Sequence, residues 1–123
     1  MTKPAREWAG VFDDEFHAVF STLEEEVQDK ILARAGLLKQ FGPNLPRPYA
    51  DTLAGSKFPN MKELRAPVGK EVWRVAYAFD PDRRAILLCG GNKGGKNQKA
   101  FYADLILKAD KRFERYAGHR SGK

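Results

Sequence analysis

Between Glu71 and Phe79 the chain alternates without a break: Trp73, Val75, Tyr77 and Phe79 occupy every second position, and Val72, Arg74, Ala76 and Ala78 fall between them. A period of two is the mark of a β-strand, whose successive side chains leave opposite faces of the sheet. The segment therefore predicts a strand with large apolar groups on one face and, on the other, a guanidinium among small residues. Asp80-Pro81-Asp82-Arg83 supplies turn residues. The continuous apolar run 85–89 (AILLC) then suits a central strand covered on both faces.

Other elements assemble around this pair. Residues 61–66 (MKELRA) place Leu64 on one face and Glu63 with Arg65 on the other, and Val68-Gly69-Lys70 reads as a turn. Residues 6–12 (REWAGVF) are compatible with a further strand, after which Asp13 and Asp14 signal a helix start. Phe16, Val19, Phe20 and Leu23 recur at three and four, as the buried face of a short helix. Ser21 and Thr22 each precede a Glu by three residues, which predicts capping boxes for a second helix with the stripe Val27, Ile31, Ala35, Leu38, ended by Gly42-Pro43. Residues 43–60 hold four Pro and one Gly, so they read as a surface connector pinned by Leu53 and Phe58. Phe101, Leu105, Ala109, Phe113 and Tyr116 form the stripe of a closing helix, with a frayed tail over 116–123. The expected order is β-α-α-β-β-β-α: an α+β fold with a small twisted, mainly antiparallel sheet, in one domain over residues 1–123.

Several chemistries are excluded early. A lone cysteine, Cys89, allows neither an internal disulfide nor a cysteine-based zinc site, and His17 and His119 are the two imidazoles. No metal or other cofactor is expected. No apolar run approaches the roughly 18 residues of a membrane span, and the start MTKPAREWAG lacks the apolar stretch of a secretory signal, so the expected location is the cytoplasm, away from membranes. Charge is unevenly divided. Residues 1–56 hold six basic and nine acidic groups, a sum of −3, and the remainder carries sixteen basic and seven acidic groups, +9. Such asymmetry points to nucleic acid as partner, against the plainer reading of a solvated basic surface.

Two constellations could carry chemistry. The loop Gly90-Gly91-Asn92-Lys93-Gly94-Gly95-Lys96-Asn97 joins a strand to a helix and could bring its backbone and Lys93, Lys96 and Lys99 close to phosphate. It satisfies G-x-x-x-x-G-K, but Asn97 stands where the Mg²⁺-binding hydroxyl belongs, so a nucleotide-hydrolysing P-loop is excluded. Arg74 is costly to half-bury without a partner, which is either a cross-strand Glu63 or a ligand. Arg65, beside Glu63, would then lack an internal acid. If their strands are neighbours, Arg65, Arg74, Lys93 and Lys96 converge into a cationic hollow for one phosphodiester. Glu63 is the nearest carboxylate that could take a proton from a ribose 2′-hydroxyl. Tyr77 and Tyr102 are core aromatics or weaker site candidates, Cys89 reads as a buried thiol, and neither histidine falls with the basic face.

Lys62-Glu63-Leu64-Arg65, Trp73-Arg74-Val75-Ala76-Tyr77, then Ile86-Leu87-Leu88 with the Lys93/Lys96 loop and a closing helix, together resemble the RelE/ParE toxin superfamily, in its HigB-like, phage-derived branch. The resemblance runs over some 55 to 60 residues of the C-terminal part. It implies a RelE-like toxin fold with helices packed on one face of the sheet and a concave cationic face opposite. It also implies a type II toxin–antitoxin toxin that needs no metal: an endoribonuclease cutting mRNA on the ribosome by 2′-hydroxyl attack on the adjacent phosphate, held in check by a cognate antitoxin protein. Carried over by position, Arg65 and Arg74 fall on the family's basic strand positions, Lys93 and Lys96 on its loop cations, and Tyr102 near an aromatic at the start of the last helix; with Glu63 added as base, the expected catalytic set is Glu63, Arg65, Arg74, Lys93 and Lys96, and Lys62, Lys99 and Tyr102 are expected to bind RNA. The alternatives are a ParE-like topoisomerase inhibitor and a basic nucleic-acid-binding protein without catalysis.

Overall fold

The computed structural model describes residues 8–121. Its elements, in chain order, are β1 (Ala9–Phe12), α1 (Asp14–Phe20), α2 (Glu25–Phe41), a 3₁₀ turn (Gly42–Asn44), β2 (Ala50–Thr52), β3 (Lys62–Val68), β4 (Glu71–Phe79), β5 (Arg84–Asn92) and α3 (Gln98–Ser121). The five strands form one sheet in the order β1-β5-β4-β3-β2, antiparallel except for β1, which runs parallel to β5. The α+β class and the alternating β4 strand are as the sequence predicts.

The helices do not share a face. Trp73, Val75, Tyr77 and Phe79 of β4 pack with Leu64 and Ala66 of β3 against Phe16, Phe20, Val27, Ile31, Ala35 and Leu38 of α1 and α2. Ala76 and Ala78 pack instead with Ile86, Leu88 and Cys89 against Phe101, Leu105, Ala109 and Phe113 of α3. The expectation of helices on one face is thus corrected, and the reason lies in β5. Its run 85–89 is apolar on both sides because each side has its own helical cover.

Local chemistry explains most boundaries. The Asp13 carboxylate caps α1 by accepting from the Phe16 N–H at 3.1 Å. The capping boxes expected for α2 do not form. Ser21 and Thr22 donate back to the His17 and Val19 carbonyls, finishing α1, and Glu24 stands at the start of α2 without a side-chain cap. Val19 is consequently 45% exposed rather than part of the buried face. Gly42 ends α2 at φ +59°, where any β-carbon would overlap the Trp8 ring. The connector holds one more strand than expected, β2, while Leu53 is buried and Phe58 packs against the α3 cluster as anticipated. The helix α3 runs on to Ser121, so no frayed tail begins at Tyr116; Arg6 of the first expected strand and the side chain of His119 lie outside the described residues.

A bulge lies at the centre of the sheet. Ala76 pairs with Cys89 but Tyr77 with Leu87, leaving Leu88 as the extra residue on β5. Leu88 and Cys89 therefore both face α3. The Leu88 carbonyl accepts from Arg112 Nη1 at 2.8 Å, and the Cys89 thiol donates to the Leu105 carbonyl at 3.4 Å. Burial pushes the Cys89 thiol up to about 12, as befits a packed sulfur rather than a nucleophile.

Candidate functional site

The β3–β4 hairpin turns at Gly69, whose φ of +61° matches the twist-compatible two-residue turns. Its register sets Arg65 directly opposite Arg74 and Glu63 opposite Ala76. All three charged side chains leave the sheet on the α3 face, where Tyr102 descends from the second turn of α3. Two guanidinium groups directly across a ladder repel. Glu63 stands between them, its side chain only 4% exposed. Its Oε2 accepts from Arg65 Nε at 3.1 Å and Nη2 at 2.9 Å, and its Oε1 accepts from the Tyr102 hydroxyl at 2.8 Å. Arg74 Nε lies 3.9 Å from that second oxygen, too far for a hydrogen bond, and is buried without a partner. Arg74 Nη1 donates to the Val72 carbonyl at 3.2 Å, and its Cζ sits 5.8 Å from the Tyr102 ring centroid.

Arg65 does have internal acids, contrary to expectation. Besides Glu63 it meets Asp51 of β2 at 3.5 Å. Nothing in the sequence flags Asp51, because a three-residue strand inside a proline-rich connector leaves no period to read. Burial alone would lower the Arg65 guanidinium, but the Glu63 hydrogen bond and the nearby negative charge outweigh it and raise its pKa further. Burial, then the Glu63 hydrogen bond, raise the Tyr102 phenol, so it remains a proton donor at neutral pH. Tyr77, by contrast, is fully buried on the other face, its hydroxyl without a hydrogen-bond partner.

The lysines stand apart from this cluster. The loop is shorter than expected, because Gly90, Gly91 and Asn92 belong to β5. A β-carbon at Gly90 would come within 3.0 Å of the Phe16 ring and one at Gly91 within 3.2 Å of Phe101, so these glycines serve packing rather than phosphate approach. Lys93 Nζ donates to the Lys96 carbonyl at 3.2 Å, within the loop. Lys96 lines a groove of about 350 Å³ with Gly90, Gly91, Phe101, Asp104 and Lys108, a lining that includes neither Arg65 nor Arg74. Lys99 is exposed in the first turn of α3, and strand parity sends Lys62 to the face opposite Glu63. The structure thus joins Glu63, Arg65, Arg74 and Tyr102 and places Lys93, Lys96 and Lys99 around the start of α3. The cationic surface is not opposite the helices but beside one of them. Among the described residues no group of three or more His, Cys, Asp or Glu side chains is placed to hold a metal ion.

Solved structures share this architecture at low identity. A mutant of Escherichia coli toxin RelE in the free state superposes with a TM-score of 0.60 at 13% identity, covering 83% of this chain and 96% of that one. The archaeal RelE of a RelE-RelB complex from Pyrococcus horikoshii OT3 gives 0.54 at 15% identity, covering 72% and 98%. The fold is therefore that of the RelE-like toxins. Residues 18–114 match the family of phage-derived Gp49-like proteins (DUF891). Two proteins of Mycobacterium tuberculosis (strain ATCC 25618 / H37Rv) are close in sequence. The one named "Putative toxin HigB3" is 42% identical over 103 residues, 84% of this chain and 88% of that protein. "Putative toxin HigB2" is 40% identical over 92 residues, 74% of this chain but 45% of that longer protein. The chain belongs to the phage-derived Gp49-like family and is a HigB-like toxin of the type II toxin–antitoxin class.

Proposed function

We propose that this toxin is an endoribonuclease that cleaves mRNA on the translating ribosome in the cytoplasm, without a metal, and that a small antitoxin protein restrains it by covering the arginine face. The observation that carries the reading is the pair of arginines held opposite each other, 32% and 21% exposed in their side chains, beside a tyrosine hydroxyl. Guanidinium forks match the oxygens of a phosphodiester, and fixed cations stabilise the extra negative charge of a pentacovalent transition state. In the reaction the ribose 2′-oxygen gives its proton to water and bonds to phosphorus while the bond from phosphorus to the 5′-oxygen breaks. The departing oxygen takes up a proton from water, leaving a 2′,3′-cyclic phosphate and a 5′-hydroxyl. Lys93, Lys96 and Lys99 guide the flanking backbone, and Tyr102 borders the phosphate with its ring while its hydroxyl proton stays on Glu63.

The test is a brief induction followed by mapping of cellular RNA 5′ ends, alongside the Arg74→Ala variant. Cleavage at discrete mRNA positions with 5′-hydroxyl ends is expected, and the variant should lose it by about 100-fold or more while its circular dichroism is unchanged. Full cleavage by Arg74→Ala overturns the site assignment. Growth arrest with DNA damage signalling and intact mRNA overturns the activity in favour of a topoisomerase inhibitor.

A further inference from the structure

Three carboxylates are buried among the described residues. Asp80 closes the β4–β5 turn and Asp110 fastens the connector through Ser56 and the Lys57 N–H, so both have structural work. Glu63 faces the site instead. A general base there must offer a free lone pair to the 2′-hydroxyl at hydrogen-bond distance. A carboxylate has about four lone-pair directions. Three of them receive Arg65 Nε, Arg65 Nη2 and the Tyr102 hydroxyl, and the remaining side faces Arg74 Nε at 3.9 Å. The one direction that holds no hydrogen bond is turned toward the Arg74 guanidinium, where a ribose would have to displace that cation.

We propose that Glu63 is a positioning residue rather than the base: a buried counterion that aims Arg65 at the incoming phosphodiester, holds the Tyr102 hydroxyl beside it, and quiets the repulsion between Arg65 and Arg74. Resting on the RNA-cleavage reading, it assigns a division of labour within that site. Both Arg65 contacts fall on one Glu63 oxygen through Nε and Nη2, so the Nη1 edge of the fork is the one presented to phosphate. The carboxylate also lowers the net charge beside the scissile group. Removing its charge while keeping its shape should therefore tighten RNA binding.

The test compares Glu63→Gln and Glu63→Ala in steady-state cleavage of a short RNA between pH 5 and 9, with ¹³C-tyrosine NMR titration of the purified full chain. Gln still accepts from Arg65, so it should lower KM several-fold, lose about tenfold or less in kcat, and leave any acid limb of the wild-type pH profile where it is. Ala should lose about 100- to 1000-fold in kcat, most of which Gln restores. The Tyr102 resonance should titrate at lower pH in Glu63→Gln than in the wild type. A Gln variant as inactive as Ala, with the acid limb gone, identifies Glu63 as the base and overturns the proposal. A wild-type chain that cuts no RNA refutes the activity instead. The Tyr102 titration then decides alone: a downward shift in the Gln variant upholds the positioning role, and no shift overturns it.

Discussion

Asp80 shows how much one side chain can contribute to the central hairpin. Its Oδ1 accepts from the Asp82 and Arg84 N–H groups, both at 2.9 Å, and its Oδ2 accepts from Arg84 Nε at 2.8 Å and the Tyr116 hydroxyl at 3.0 Å. Burial by itself would raise this carboxyl, but those donors outweigh it and hold it below the usual carboxylate range. A depressed carboxylate stabilises the fold above its unfolded pKa of about 4, and that contribution is lost as pH falls through the lower folded value. Asp80→Asn should therefore cost about 2–4 kcal/mol in urea unfolding at pH 7. The gap to the wild type should narrow steadily below pH 4. A constant gap down to pH 2 would mean that the second acceptor oxygen rather than the charge holds the turn.

At the scale of elements, parity carried most of what the sequence could tell. The alternation in 71–79 separates the two cores and sets Arg74 on the Ala76 and Ala78 side, as observed. The stripes of α2 and α3 name buried residues, with Tyr116 at the end of the α3 stripe only half-buried. Three things were illegible for physical reasons. The position of α3 depends on which face remained free once α1 and α2 had packed. The strand β2 has three residues and no measurable period. The bulge at Leu88 lies inside an unbroken apolar run, where a one-residue slip leaves no polar trace. The same blindness hid Arg112, which no period or motif in the sequence singles out. It is 16% exposed, satisfies the carbonyl that the bulge expels from the ladder, and pairs with Glu15 at 3.0 Å. Arg112→Met keeps the apolar stem but strands that carbonyl, so a loss of about 1–3 kcal/mol is expected in thermal or urea unfolding. A neutral result would show that water serves the bulge equally well.

Across the whole molecule, charge and fold are divided along the same line. The acidic excess lies in residues 1–56, which supply β1, α1, α2 and the edge strand β2, and the +9 lies in residues 57–123, which supply the three long strands, α3 and the loops between them. On the proposed function, an RNA strand is expected to be drawn to the flank where α3 meets β3 and β4 and repelled from the α1–α2 flank, before any side chain touches it. Within the site, however, acids already neutralise part of the cationic charge: Glu63 and Asp51 on Arg65. Affinity should then come from a few well-placed cations rather than from total charge. With about three phosphates engaged, log Kd against log salt should rise with a slope near 2, at about 0.7 per phosphate on single strands. Binding of a non-cleavable 2′-deoxy-substituted oligonucleotide should weaken about 10- to 20-fold between 50 and 200 mM salt. Arg74→Ala should reduce the slope by about 0.7, and a change of Lys30 on the α1–α2 side should leave it untouched. A slope near 6 or above would mean that RNA reads the whole basic half as one diffuse surface, and the two-arginine site would lose its claim to the phosphate.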